Sequence, residues 1–369
     1  MGPNYRGVGT DWMVFYGAVE SFRSGHFSIA ANGDAFTRFL NQQFAPWLSA
    51  PLPYRPWVYP PSYLFLLLPF GLLPFLTAYG AFQLLTAAAL FAAIAWRADN
   101  NEPHARTIAL LVLLCPAASI NAVDGQNAFL SAALLVGGIR LLEERPLLAG
   151  AVLGLATFKP QFAVLVPVAL LAAGQWRALV AFVLSAVALA AASALVIGID
   201  AWTMWFHAST TALVSPNPKW VEYGRLWGNS VWTCAVAVGA SLKLADGLQL
   251  AALAVAAAFT AIAFRRQAGC RLAVLLTATL LAAPHWSPYD AVLLSLAAMV
   301  WAFRGPIVSA SMWPWILVLA LWLVPLMSPP ILIPAGRMVP LLIVTFLAVM
   351  IRFDPALQPI LTSLLGRRV

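Results

Sequence analysis

The sequence predicts an all-α, polytopic integral membrane protein. Of its 369 residues, 62% are hydrophobic and only 9% are charged, and the mean hydropathy is +0.86. Soluble domains carry about 25% charged residues, so this chain cannot cover a water-exposed surface of its size. Apolar runs such as 107–115 and 178–197 lack the alternation of barrel strands. Helices are then the structure that satisfies the backbone in lipid.

The first 59 residues are predicted to lie outside the membrane. They are rich in Trp, Tyr, Phe, Gly and Pro, and no basic stretch followed by an apolar one marks a cleavable signal peptide. Loops of this length without secondary structure are uncommon and are usually functional. We therefore predict an extracytoplasmic first loop at 1–59 that carries a catalytic acid.

Residues 60–352 are predicted to form a transmembrane domain with about 11–13 membrane helices. Pro60 and Pro61 open a short helix that ends near 73, because proline suits the first turn. A polar loop at 198–228 precedes a second short helix near 229–242. The other helices are predicted at 76–96, 105–119, 126–142, 146–158, 160–173, 177–197, 247–264, 271–283, 288–303, 312–327 and 338–351.

The positive charges predict the orientation. Most arginines fall in alternate connections, which the positive-inside rule assigns to the cytoplasm together with a tail at 353–369. The net charge of +8 therefore reflects topology, and the absence of a dense Lys/Arg block argues against nucleic acid as a partner. These arginines are Arg97, Arg106, Arg140, Arg145, Arg177, Arg265, Arg266, Arg271, Arg304, Arg352, Arg367 and Arg368.

Polar groups from five connections fall on the opposite, outer side. Lys159 is the most informative, since its flanking helices have only about 13 apolar residues each, roughly 20 Å against a core of about 30 Å. It is therefore predicted to lie below the membrane surface, where such charges usually line a cavity. The outer polar groups are Asp11, Asp124 to Asn127, Lys159 to Gln161, Asn229 with Ser230, and His285 to Asp290.

Each of these groups also has a simpler interpretation. Asp124 and Gln126 fit a helix cap, and Lys159 could extend to lipid headgroups. His285 could be a hydrogen-bonded loop residue, and Asp11 a solvated acid. Their convergence on one side favours a shared site, and we expect Asp11, Lys159 and His285 to border one cavity that opens outward.

The order of these motifs resembles membrane glycosyltransferases of family 87, in the GT-C superfamily, which use polyprenol-phosphate sugars. The resemblance covers nearly the whole chain, although members usually carry a spanning helix before the first acid and only ten residues precede Asp11 here. The motifs are Gly9-Thr10-Asp11-Trp12, Tyr59-Pro60-Pro61, Gly125-Gln126-Asn127, Gly154 to Gln161 with its Lys159-Pro160-Gln161 turn, Asn229-Ser230 and Pro284 to Asp290.

The resemblance implies a GT-C-like helical bundle that moves a hexose, often mannose, from a polyprenyl phosphate to a lipid or glycan acceptor on the extracytoplasmic face. Asp11 matches the position of the general base, and the anomeric carbon is expected to invert. Lys159 and His285 are candidates for the donor phosphate, because cations stabilise developing negative charge. Candidates for hydrogen bonds to sugar hydroxyls, or for stacking on a sugar face, are Gln126, Asn127, Gln161, Tyr289, Asp290, Trp12, Phe15 and Tyr16.

No cofactor is expected, and the lack of an Asp-x-Asp pair in the first loop favours a metal-free reaction. The predicted location is a cell membrane, of the bacterial inner-membrane type. A transporter or lipid flippase is the main alternative, since polar residues at broken helices also mark substrate paths. The one-sided placement of the polar groups favours the enzyme over that alternative and over a scaffold without catalysis.

Overall fold

The computed structural model describes residues 8–95, 104–214, 216–304, 312–327 and 337–358. Over these residues the secondary structure is helical, without strands. The α-helices are α1 Thr10–Arg23, α2 Gly33–Gln43, α3 Pro61–Leu67, α4 Phe75–Ala95, α5 Ala105–Leu113, α6 Pro116–Asp124, α7 Ala128–Leu141, α8 Pro146–Leu155, α9 Pro160–Ala163, α10 Val166–Ala172, α11 Trp176–Ile197, α12 Ile199–Val214, α13 Pro218–Trp227, α14 Val231–Ala237, α15 Leu242–Arg265, α16 Arg271–Ala282, α17 Val292–Arg304, α18 Trp313–Trp322, α19 Val324–Met327 and α20 Val339–Phe353. Arg97, Arg367 and Arg368 lie outside the described residues.

The long helices have the length and surface of membrane spans. In the described part of the chain, α4, α11 and α15 are each long and apolar enough to cross a bilayer, and the bent pair α5–α6 would be a fourth. Their outer faces expose large apolar side chains, such as Leu84 at 72% and Leu195 at 88%. Exposed leucine at this density fits contact with lipid. The predicted fold class is confirmed, while the number of crossings stays a prediction.

Two segments predicted as loops are helical. The first segment, at 1–59, contains α1 and α2, and the segment at 198–228 contains α12 and α13. Helix α1 could not be recognised from periodicity, because its residues are buried on nearly every side and the amphipathic pattern that indicates a helix is absent.

The helix predicted at 105–119 is broken. It ends at Leu113, and α6 starts at Pro116 at an angle of 54° to α5. Proline has no N–H to donate to the preceding turn and its ring clashes there, which explains the break. The bend directs the end of α6 toward the start of α1, where the Gly9 N–H donates to the Val123 carbonyl over 2.7 Å.

The interior contains two large apolar cores. The larger is built mainly from α5 to α11 and α15 to α20. The second is aromatic and joins α1 and α2 to α3 and the start of α4. Tyr63 stacks on Phe158 with ring centroids 5.0 Å apart, so the aromatic core packs against the turn that carries Lys159.

Helices α8 and α11 are parallel neighbours whose backbones touch at glycines. A Cβ on Gly150 would lie 2.0 Å from the Ala178 carbonyl oxygen, and one on Gly154 would lie 2.6 Å from that of Phe182. Small residues at helix interfaces permit this approach in membranes. The contact fixes α8, whose C-terminal end leads directly into Lys159.

Gly150→Ala is expected to lower the free energy of unfolding by about 1–3 kcal/mol, because the added methyl would force the two helices apart. Gly247→Ala is the matched control, since a Cβ at Gly247 in α15 meets no atom within 4 Å. That control should be neutral, or stabilising by up to about 1 kcal/mol. Denaturation in detergent micelles measures both, and equal effects would contradict the tight α8–α11 contact.

Candidate active site

Asp11 lies in the first turn of α1. Gly9 precedes the helix in the left-handed conformation, with φ of 75°. The free N–H groups of a first helical turn stabilise a negative charge. Asp11 is only 7% exposed, so its carboxylate faces protein groups instead of bulk water.

Gln126 holds one oxygen of Asp11. Its Nε2 donates to Asp11 Oδ2 over 2.8 Å, which joins residues 115 positions apart. The turn can reach α1 because Gly125 has φ of 76° and no side chain; a Cβ there would lie 2.4 Å from that of Trp12. The Gly125-Gln126-Asn127 motif therefore allows the end of α6 to pack closely against α1.

Arg55 faces the other oxygen, and the sequence did not single it out. Its Nε lies 3.5 Å from Asp11 Oδ1, and its guanidinium carbon lies 5.1 Å from the centre of the Tyr223 ring. The irregular segment that carries it is attached to α2, where Arg55 N–H donates to Thr37 Oγ1 over 2.9 Å and Asn41 bonds both backbone groups of Leu52.

Lys159 forms a buried ion pair with Asp290. The Nζ–Oδ1 distance is 2.6 Å, and the two side chains are 4% and 2% exposed. Lys159 Nζ also donates to Asn127 Oδ1 over 3.2 Å and lies 4.2 Å from the centre of the Phe162 ring. Lys159 is therefore buried, as predicted from its short flanking helices, and does not extend to headgroups.

The two charged pairs belong to one cluster. Gln126 binds Asp11, and its neighbour Asn127 binds Lys159, which in turn binds Asp290. We call this group the polar cluster: Asp11, Arg55, Gln126, Asn127, Lys159 and Asp290.

Asn127 has an unused donor at the centre of the polar cluster. Its Nδ2 is buried and makes no well-formed hydrogen bond, although it lies beside the hydroxyls of Tyr59 and Tyr63. The Tyr63 hydroxyl is buried without a partner as well. Buried polar groups are normally satisfied, so these two atoms mark a place where a ligand hydroxyl would gain hydrogen bonds.

Asp124 adds a third carboxylate. It ends α6, and its charge acts on Asp11 and is opposed by Arg55. The interpretation of Asp124 as a cap of the next helix is wrong, because Asn121 fills that place: its Oδ1 accepts from the Ala128 N–H over 2.8 Å. Three carboxylates and two cations thus meet here.

Not every predicted site residue reaches the polar cluster. His285 packs between the rings of Trp220 and Trp232, at 5.8 and 5.3 Å, and within the described residues it has no hydrogen bond or ion pair to the cluster. Gln161 is half-buried, two residues after Lys159, and Tyr289 has its ring 5.7 Å from Lys159 Nζ.

Trp12, Phe15 and Tyr16 pack in the aromatic core. Trp12 is 1% exposed and stacks on Phe82 with centroids 5.1 Å apart. Phe15 is also buried, and the Tyr16 hydroxyl donates to the Leu73 carbonyl over 2.9 Å. Protein covers the rings of Trp12 and Phe15, and the Tyr16 hydroxyl is bonded to the backbone, so none of the three belongs to the polar cluster.

The family model described as glycosyltransferase family 87 matches residues 57–288, more than half of the chain. The chain belongs to glycosyltransferase family 87. The matched region contains Gln126, Asn127 and Lys159, while Asp11 and Arg55 precede it and Asp290 follows it. No curated protein and no solved structure matches the chain.

Family membership makes the protein a membrane glycosyltransferase, and the resemblance found in its motifs is confirmed. A sugar donor and an acceptor in the membrane follow from that activity. The transporter alternative is therefore not retained.

His285 of this family 87 glycosyltransferase is expected to make stability pH-dependent. Burial lowers its pKa from 6.5 to about 4. Between pH 6.5 and pH 4 the imidazole is protonated in the unfolded chain and neutral in the folded chain. The free energy of unfolding is therefore at its maximum above pH 6.5 and falls as the pH drops toward 4. His285→Asn should remove a loss of about 3 kcal/mol near pH 4.

The measurement is the free energy of unfolding in micelles at several pH values, with the exposed His26→Asn as the control variant. A His285→Asn protein that loses as much stability on acidification as the wild type would contradict the buried, neutral imidazole.

Proposed function

We propose that the protein transfers a hexose, with mannose the first candidate, from a polyprenyl-phosphate donor to a lipid or glycan acceptor, with inversion, at the extracytoplasmic face of a cell membrane. The observation that carries the proposal is the convergence of Asp11 with Gln126, Arg55, Lys159 and Asp290 from separate parts of the chain. Within a glycosyltransferase, such a buried set of acids, amides and cations fits a site for a phosphorylated sugar.

Asp11 is proposed as the general base. Its carboxylate takes the proton of the acceptor hydroxyl while the acceptor oxygen forms a bond to the anomeric carbon. The bond between that carbon and the phosphate oxygen breaks, and its electron pair leaves with the polyprenyl phosphate. Gln126 keeps the carboxylate in one orientation, which supports attack from a fixed direction.

The sugar is proposed to bind around Asn127. The buried Nδ2 of Asn127 and the hydroxyl of Tyr63 lie side by side without a well-formed hydrogen bond, and both are proposed to bond a sugar hydroxyl. Gln126 is bonded to the Asn127 N–H, and Asp290 and Tyr289 lie beside the Lys159 that binds Asn127. Gln161, two residues after Lys159, is proposed as a further partner of a sugar hydroxyl. A site built to bond a hydroxyl rejects sugars that lack it, which would give the enzyme its specificity.

Lys159 is proposed to shape the sugar site instead of holding the donor phosphate. Asp290 already neutralises its charge at 2.6 Å, and Asn127 takes a further hydrogen bond. In this role Lys159 fixes the two side chains that face the sugar. The charge of the phosphate then has to be met by another cation.

Helix α13 is proposed as a cover over the polar cluster. Tyr223 stacks on Arg55, Asn217 Nδ2 donates to the Tyr54 hydroxyl over 3.3 Å, and Lys219 pairs with Asp34 at 2.6 Å. The Lys219–Asp34 pair is exposed, so breaking it would cost little. Displacement of α13 from Arg55 and Tyr54 would admit the substrates to the buried cluster.

Arginines at the end of the bundle opposite the polar cluster support the proposal that the cluster faces outward. Arg145 and Arg177 stand at the starts of the parallel helices α8 and α11, whereas Lys159 follows the far end of α8. If the positive-inside rule holds here, the arginine end faces the cytoplasm and the polar cluster faces outward.

The proposal is tested with the purified protein in lipid nanodiscs, supplied with polyprenyl-phosphate [³H]mannose and a membrane lipid extract as acceptor. We expect labelled product from the lipid-linked donor and none from a nucleotide-linked mannose. Transfer from the nucleotide donor alone would overturn the assignment of donor class.

A further inference from the structure

The polar cluster contains two cations, Lys159 and Arg55, whose ion pairs differ in length and in burial. Lys159 is held at 2.6 Å from Asp290 by side chains that are almost fully buried. Arg55 lies 3.5 Å from Asp11, through Nε, with side chains that are 16% and 11% exposed. The Arg55–Asp11 contact is therefore longer and more accessible than the Lys159–Asp290 contact. Arg55 can exchange its carboxylate partner for another anion more easily than Lys159 can.

The backbone around Arg55 is held by contacts with α2. Thr37 and Asn41 tie the segment to α2, and Pro53 and Pro56 limit the backbone on both sides. The guanidinium carbon of Arg55 lies 5.1 Å from the centre of the Tyr223 ring. A planar fork of donors suits phosphate oxygens better than a lysine ammonium does.

His285 does not supply this charge. It lies in an aromatic box formed by Trp220 and Trp232, away from the hydrogen bonds of the polar cluster. Among the described residues, Arg55 is thus the cation beside Asp11 that an incoming phosphate can engage.

We propose that Arg55 binds the donor phosphate and, in doing so, releases Asp11. Donor entry would exchange the Arg55–Asp11 contact for contacts between the guanidinium and the phosphate, which frees Asp11 Oδ1 for the acceptor hydroxyl. This inference rests on the proposed function. It implies that the donor binds before the acceptor, and that the phosphate leaves with its added negative charge facing Arg55.

The test is direct binding of polyprenyl phosphate, without sugar, to the protein in nanodiscs. Arg55→Met should raise the Kd about 10- to 100-fold, the range for loss of charge-assisted hydrogen bonds, and Arg55→Lys should lie in between. Arg38→Met, an exposed arginine on α2, is the matched control and should keep the wild-type Kd.

A second variant separates the release of Asp11 from simple phosphate binding. Asp11→Asn removes the competing carboxylate, so it should bind polyprenyl phosphate with a Kd about 2- to 10-fold lower than that of the wild type. A Kd that is unchanged in both Arg55→Met and Asp11→Asn would overturn the inference while leaving the proposed function in place. A wild-type protein that binds no polyprenyl phosphate would overturn both.

Discussion

Asp11→Asn is expected to reduce sugar transfer by about 10²–10⁴-fold, the range that a positioned general base contributes. The amide has nearly the shape of the carboxylate, but it cannot take up the acceptor proton. Since Asp11 is buried at the start of α1 and bonded to Gln126, the variant should keep the fold and lose the chemistry. Transfer from polyprenyl-phosphate [³H]mannose in nanodiscs is the measurement.

Asp200→Asn is the matched control for this variant. Asp200 also lies in the first turn of a helix, α12, but it is exposed. It should transfer sugar at close to the wild-type rate. If Asp11→Asn were as active as Asp200→Asn, Asp11 would not be the base.

Lys159→Met is expected to lower the free energy of unfolding by about 3–5 kcal/mol, because it leaves the Asp290 carboxylate buried without its partner. The fall should be largely recovered in the double variant Lys159→Met with Asp290→Asn, which removes both charges. Equilibrium denaturation in micelles measures the three proteins.

Lys219→Met is the corresponding control at an exposed pair, where the expected loss is at most about 1 kcal/mol. Equal losses in Lys159→Met and Lys219→Met would mean that the Lys159 charge reaches water or lipid headgroups, and the buried ion pair would be refuted. The double variant also separates stability from function: if it folds, any remaining loss of transfer reports on the sugar site.

The sequence predicted the parts of the fold that depend on composition. The scarcity of charge required a membrane protein, and the short helices beside Lys159 required that lysine to be buried. Its partner could not be predicted, since Asp290 lies 131 positions away and its role depends on how α9 and the Pro288–Ala291 turn pack. Contacts between residues so far apart in the chain leave no periodic pattern in a single sequence.

The residues that sequence reasoning missed or misplaced are those whose exposure depends on tertiary packing. Arg55 lies in an irregular, proline-rich segment, so no helical face or motif indicated where its side chain points. The one feature that could have identified it as a candidate was a single cation among aromatic and proline residues. Trp12 belongs to a motif that suggested contact with sugar, yet the aromatic rings of α4 cover it. In both cases tertiary packing decides the exposure, and local sequence does not.

The central claim is that the polar cluster around Asp11 binds the donor sugar phosphate. A cryo-EM structure of the nanodisc-embedded protein with a polyprenyl phosphonate sugar, which cannot be cleaved, tests it directly. We expect the phosphonate against the guanidinium of Arg55, the sugar hydroxyls at Asn127, and Asp11 facing the anomeric carbon. Density for the sugar at any other place, with the Arg55–Asp11 contact intact, would contradict the account.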